Sequence, residues 1–198
     1  MTKEASPPFR VLPEEEAPAC AKHCERCGLA RQRTRVVWGE GNPQAKIMLI
    51  LDNPGAREDR EGREFLCGTR ETLQLGLSQA GLTPDDVYVT YLLKCRPVRA
   101  YDKPAARDAC ASHLRLQLEE KRPLLLFGFG NTVAEATAPA GRDAPVTVKA
   151  LRGSWHRYNG IPIAFTYHPL AVRRRPNLTN AFVEDLRMLA GQWRAVAR

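Results

Sequence analysis

Four short apolar runs constrain the fold more than any other feature of this sequence. They are Lys46–Leu51, Val87–Leu93, Leu124–Phe127 and Ile161–Tyr167. A half-exposed strand alternates apolar and polar side chains. A nearly continuous apolar run of this length, bounded by turn formers, fits a strand covered on both faces, as in a parallel sheet. Between the runs the period changes. Leu73, Leu77 and Ala80 recur at i, i+4 and i+7 behind a Thr69 cap and stop at Gly81. Cys110, Leu114 and Leu118 form one stripe after Pro104, and an alanine-rich helix follows Asn131. Phe182, Leu186, Leu189 and Trp193 mark a last amphipathic helix. Strands alternating with helices predict an α/β domain: a three-layer α/β/α sandwich on a central, mostly parallel four-stranded sheet. Pro162 sets the fourth strand near an edge or has it start there, and 146–155 reads as a short edge region. Gly128-Phe129-Gly130 lacks the third glycine of a dinucleotide cradle, so it reads as tight strand–helix packing.

A chain of 198 residues suits one domain, taken as 20–198. Residues 1–19 carry Pro7, Pro8, Pro13, Pro18 and the acidic run Glu14–Glu16, and read as a poorly ordered lead-in. No apolar run approaches the roughly 20 residues that span a bilayer. No apolar signal region opens the chain, which points to the cytoplasm and not to a membrane. The net charge of +8 favours an anionic partner, and nucleic acid is the commonest.

Cysteines supply the next constraint. Cys24 and Cys27 are separated by two residues, Cys95 follows after 67 more, and Cys110 after 14 more. Thiols so scattered do not build a short zinc knuckle, but they can pin the N-terminal segment to the middle of the chain around one metal site. Four thiolates suit tetrahedral zinc or an iron–sulfur cluster; unligated core cysteines and disulfides are the alternatives. Arg31, Arg33 and Arg35 alternate just beyond the first pair, as along one face of an extended segment.

Three loops at strand ends gather the other candidates: Asp52–Phe65, Tyr91–Arg99 and His168–Arg175. Open α/β sheets bind ligands at the carboxyl ends of their strands. His168-Pro169-Leu170-Ala171-Val172-Arg173-Arg174-Arg175 has a use on DNA. Its arginines, with Arg96, can clamp phosphates, while Leu170 or Val172 can wedge into the base stack. An extruded base would then need an aromatic ring, and Phe65 can serve.

The run from Cys24 to Ile50, C-E-R-C-G-L-A-R-Q-R-T-R-V-V-W-G-E-G-N-P-Q-A-K-I-M-L-I, resembles the opening of the iron–sulfur (family 4) uracil-DNA glycosylases. The likeness continues through Pro54–Asp59, Gly62–Phe65, Lys94–Pro97, the Cys110 helix, Leu151–Trp155 and Tyr167–Pro169, and covers residues 24 to about 190. The resemblance implies the uracil-DNA glycosylase fold and hydrolysis of the N-glycosidic bond of uracil in DNA. It also implies a [4Fe–4S] cluster on Cys24, Cys27, Cys95 and Cys110. Such a protein works on single- or double-stranded DNA at the nucleoid, and a monomer suits a scanning role.

Carried over by position, the family's strand-end carboxylate falls on Asp52, in L-D-N-P-G where the family has G-E-x-P-G, with Asn53 beside it. The acidic pair's Glu falls on Glu58, the stacking Phe on Phe65 and the H-P motif's His on His168. The family's uracil-reading Asn falls on Tyr91. An amide offers a donor and an acceptor, whereas a phenol offers one hydroxyl. A second reading is therefore a DNA-binding member with altered base preference, and a third is a zinc-stabilised binding module without catalysis.

Overall fold

The computed structural model describes residues 9–60, 68–138 and 146–197. In chain order the elements are β1 (Glu14–Glu15), α1 (Ala19–Lys22), β2 (Gly39–Gly41), β3 (Ile47–Leu51), α2 (Ala56–Arg60), α3 (Gly68–Gln79), β4 (Val87–Tyr91), α4 (Lys103–Lys121), β5 (Leu125–Phe129), α5 (Asn131–Thr137), α6 (Val148–Leu151), β6 (His156–Tyr158), β7 (Ile161–Thr166), α7 (Pro169–Arg174) and α8 (Thr179–Val196).

The strands form one sheet in the order β1-β2-β4-β3-β5-β7-β6. Its parallel centre, β4-β3-β5-β7, consists of the four apolar runs. The sheet has seven strands among the described residues, not four, because β1, β2 and β6 add antiparallel pairings at the two edges. Two or three residues long, these strands are too short to show a period-2 pattern. β1 falls inside the stretch read as a lead-in. The segment 146–155, read as an edge, instead holds α6; the edge strand is β6, just beyond. Pro162 sits second in β7, one strand in from that edge, opposite Arg157.

Alternation along the buried strands feeds two cores. Ile47, Leu49, Leu51, Val89, Tyr91 and Phe127 face α3 and α8 through Leu73, Leu77, Phe182 and Leu186. Met48, Ile50, Tyr88, Leu126 and Phe165 face α4, α5 and α6 through Leu114, Leu118, Val133 and Leu151. Helices on both faces of a mostly parallel sheet make the three-layer sandwich. Gly128 carries the packing expected of it: a Cβ there would stand 2.8 Å from Phe165 and 2.9 Å from Val133. The last helix is tied to the sheet by Asp185, which accepts from Thr166 at the end of β7 (2.7 Å) and from Arg152 (2.9 Å). Among the described residues, no helix is long and apolar enough to cross a membrane.

Candidate active site

The parallel strands all deliver their carboxyl ends to one side. Asp52 follows β3, Tyr91 closes β4, and His168 stands two residues past β7. These three residues, with Asn53, Glu58 and Leu170, line one cavity of about 310 Å³. That volume is enough for a nucleobase. Two of the three stretches read as loops contain short helices, α2 and α7.

His168 is the N-cap of α7, and its Nδ1 accepts the Leu170 N–H at 3.2 Å. An accepting Nδ1 puts the ring proton of the neutral imidazole on Nε2. Nε2 lies 3.4 Å from Asp52 Oδ1, in a geometry too poor for a formed hydrogen bond. Its donor is therefore poised beside the carboxylate and not consumed by it. Burial pushes the Asp52 carboxyl up, but His168 and the Asn53 backbone N–H (2.8 Å) more than offset that and hold it below the usual carboxylate range.

Beneath this pair lies a buried charge cluster. Arg70, in the first turn of α3, reaches Glu40 of β2 at 2.5 Å and Glu58 of α2 at 3.7 Å, and its charge acts on the Tyr91 hydroxyl. All four are less than a tenth exposed. Burial pushes the Glu40 carboxyl up to about 7 against the pull of Arg70, with Glu58 and Glu14 adding like charge. Burial and the nearby carboxylates raise the Tyr91 phenol as well, against Arg70, so it stays protonated. Sequence reasoning reached Glu58 and Tyr91 but missed Glu40 and Arg70. The available signal was a lone Glu inside the otherwise apolar and glycine stretch from Val36 to Gly41.

The remaining site candidates divide. Leu170 is 37% exposed at the cavity rim, but Val172 is 3% exposed and belongs to the core, which corrects its assignment as a possible wedge. Helical spacing explains this: in α7 the two point to different sides. Arg173, Arg174 and Arg175 are exposed, and Arg173 stands 3.5 Å from Glu71. Arg96 is half-buried and is not part of the cavity lining. Its neighbour Lys94 is buried: its ammonium donates to Thr90, Tyr91 and Gln117 at 2.6–2.7 Å, so it does not face a DNA backbone. Phe65 and the Gly62–Phe65 motif lie outside the described residues.

Past the carboxyl end of β4, Cys95 joins Cys27 and Cys110 in a small apolar cluster with Leu29, Val36, Leu93 and Ala106. Cys24, Cys27, Cys95 and Cys110 are free thiols that feel one another electrostatically. Arg26 donates to the Cys24 sulfur at 3.4 Å and Arg33 to the Cys95 sulfur at 3.6 Å. Burial pushes the Cys24 thiol up, and Arg26 and Arg33 bring it below its ordinary value. Among the described residues, no three His, Cys, Asp or Glu side chains are gathered closely enough to hold a single metal ion. The alternating arginines do not line one face. Arg31 is exposed, Arg33 turns to Cys95, and Arg35 pairs with Glu14 and donates to the Glu58 carbonyl (3.0 and 2.6 Å). Asp59 accepts from the Thr34 N–H (2.9 Å) and the Arg35 N–H (3.3 Å), so the cysteine-bearing segment is fastened directly to α2 and the cavity.

Residues 38–189, from the start of β2 through most of α8, match the family model of the uracil DNA glycosylase superfamily. The chain belongs to the uracil DNA glycosylase superfamily. Relatives within it include a Type-4 uracil-DNA glycosylase of Pyrobaculum aerophilum, 34% identical over 86% of this chain and 89% of the relative. Type-4 uracil-DNA glycosylases of Archaeoglobus fulgidus and Saccharolobus solfataricus are 30% and 31% identical, each over 84% of this chain, covering 86% and 80% of the relatives.

Proposed function

We propose that this protein is a uracil-DNA glycosylase that binds DNA, extrudes a deoxyuridine and hydrolyses its N-glycosidic bond. The observation that carries this reading is the cavity at the carboxyl ends of the parallel strands. It unites the Nε2–H of His168 with the depressed Asp52 carboxylate. The Type-4 relatives support the same reading.

The C1′–N1 bond breaks with its electron pair passing to the uracil ring. His168 Nε2 donates to a ring carbonyl as that charge develops, which is the kind of stabilisation that contributes most to such reactions. Asp52, held as a carboxylate, steadies the cationic sugar and orients the water that adds to C1′. The water's proton leaves to solvent. Glu58 supports the wall from its contact with Arg70. Leu170 fills the space of the extruded base, and Arg173, Arg174, Arg175 and Arg96 engage phosphates.

Cys24, Cys27, Cys95 and Cys110 would hold a [4Fe–4S] cluster. Their donor chemistry fits: four free thiols, three of them (Cys27, Cys95 and Cys110) bordering one apolar pocket, with two guanidiniums beside sulfurs to balance thiolate charge. The cluster would act as a brace. Asp59 and Arg35 would transmit its rigidity to α2.

The test is strand cleavage by alkali after incubation of the protein with DNA carrying a single uracil. Uracil-dependent breaks are expected, and their absence with brown, folded protein would remove the proposal.

A further inference from the structure

A base flipped into this cavity meets the buried cluster at its end, and the cluster carries a defined hydrogen-bonding polarity. The Arg70 guanidinium acts on the Tyr91 hydroxyl, and a group with donors only can meet a phenol only at its oxygen, which leaves the phenolic proton to be given away. The same arginine holds Glu40 through Oε2. Burial raises the Glu40 carboxyl to about 7, so above that pH it is a carboxylate with about four lone-pair sites and keeps acceptor capacity beyond that contact. One donor and one acceptor, both buried, both lining the cavity and both within the influence of one guanidinium, therefore face the same space.

Resting on the glycosylase reading, we propose that Tyr91 and Glu40 together read the lactam edge of the extruded base, with Arg70 as the positioning residue. The Tyr91 hydroxyl donates to a ring carbonyl and Glu40 accepts the adjacent ring N–H. Uracil presents that –CO–NH– pair through O4 and N3–H, and hypoxanthine presents it through O6 and N1–H. Cytosine and adenine present the reverse, an amino donor beside a bare ring nitrogen, so Glu40 would face a lone pair. Deaminated bases are thus accepted and their parents refused. Thymine shares the lactam edge, so its methyl group must be refused elsewhere in the cavity. In this arrangement the functions of one amide side chain are divided between a phenol and a carboxylate.

The experiment is single-turnover excision at pH 8, where Glu40 is ionised, from oligonucleotides bearing one uracil, one hypoxanthine or one cytosine, for the wild type, Tyr91→Phe and Glu40→Gln. Leaving a buried polar group unmatched costs enough for a change of roughly 10- to 100-fold. Tyr91→Phe keeps the ring in the core and removes one oxygen; uracil and hypoxanthine excision should fall at least about 10-fold with unchanged thermal stability. Glu40→Gln turns its carbonyl to Arg70 and an N–H₂ to the base. The uracil-to-cytosine ratio should then fall about 100-fold or more, a shift that loss of packing alone does not produce. Should Glu40→Gln fail to fold, Glu40→Asp withdraws the acceptor while keeping the charge, and uracil excision should drop about 10-fold. Uracil excision by the wild type with rates and ratio unchanged in these variants overturns the base-reading assignment alone. No excision by the wild type on any of the three oligonucleotides overturns the glycosylase reading, and this one with it.

Discussion

Removing Arg70 is the sharpest perturbation of this protein's stability. Its guanidinium is the cation recorded against both Glu40 and Glu58, and all three are buried. Arg70→Met keeps most of the volume but leaves two carboxylates facing each other in a poorly solvated site. Deleting one partner of a buried ion pair costs about 3–5 kcal/mol. For a chain of this size each kcal/mol shifts Tm by about 2–4 °C, so a fall on the order of 10 °C is expected. The loss should depend on pH. Glu40 in the fold keeps its proton up to about pH 7, against an ordinary 4.5. Between those values the folded chain binds more protons than the unfolded one, so this group's contribution is complete below 4.5 and is lost as pH rises through 7. The charged groups facing it are Arg70, Glu58 and Glu14, with the Tyr91 hydroxyl; Glu14 is itself paired with Arg35. Without Arg70 the remaining influences push Glu40 higher still, so it stays neutral at pH 5 and is forced toward ionisation at pH 8. Thermal unfolding followed by circular dichroism should show a larger loss at pH 8 than at pH 5. Adding Glu40→Gln to Arg70→Met should recover part of it. A Tm within about 2 °C of wild type, or an equal loss at both pH values, would refute the account of the cluster.

Three further outcomes are expected. His168→Asn retains a good N-cap for α7 but loses the Nε2 donor, so uracil excision should fall on the order of 100- to 1000-fold with little change in Tm, as measured by single-turnover kinetics and unfolding side by side. Arg174→Ala with Arg175→Ala should flatten the slope of log affinity against log salt by about 1.4–1.8. In the same binding assay Val172→Ala should leave DNA affinity unchanged and cost about 1–3 kcal/mol of stability, whereas Leu170→Ala should weaken duplex processing and spare stability. Cys95→Ser should abolish the broad visible absorbance expected of freshly purified protein; a colourless wild type holding one zinc would sink the cluster assignment.

The parallel centre of the sheet was legible because β3, β4, β5 and β7 are buried on both faces and therefore carry runs that only such strands require. β1, β2 and β6 were illegible for the converse reason. Two or three residues of edge strand need no pattern, since their pairing is dictated by a neighbour. The strand-end rule located the loops that begin at Asp52, Tyr91 and His168, and all three of these residues line the cavity. It could not separate Leu170 from Val172, because that depends on the rotation of a six-residue helix set by its His168 cap. Nor could it find Arg70. In sequence Arg70 is one more arginine among 30 basic residues, and a basic chain makes each arginine look like a phosphate ligand.

That ambiguity has a physical resolution. Positive charge in this molecule serves three separate purposes, and burial sorts them. Arg173, Arg174 and Arg175 are exposed and carry long-range attraction for a polyanion. Arg26 and Arg33 sit against sulfurs, and Arg35 joins β1 to the backbone of α2. Arg70 and Lys94 are buried and spend their charge on internal partners, carboxylates for the first and neutral oxygens for the second. Only the first group should set the salt dependence of DNA binding, and of the two buried cations Arg70 is the one that lines the cavity. A salt slope reduced by Arg70→Met as strongly as by the α7 arginines would mean that the cavity floor meets phosphate and not a base.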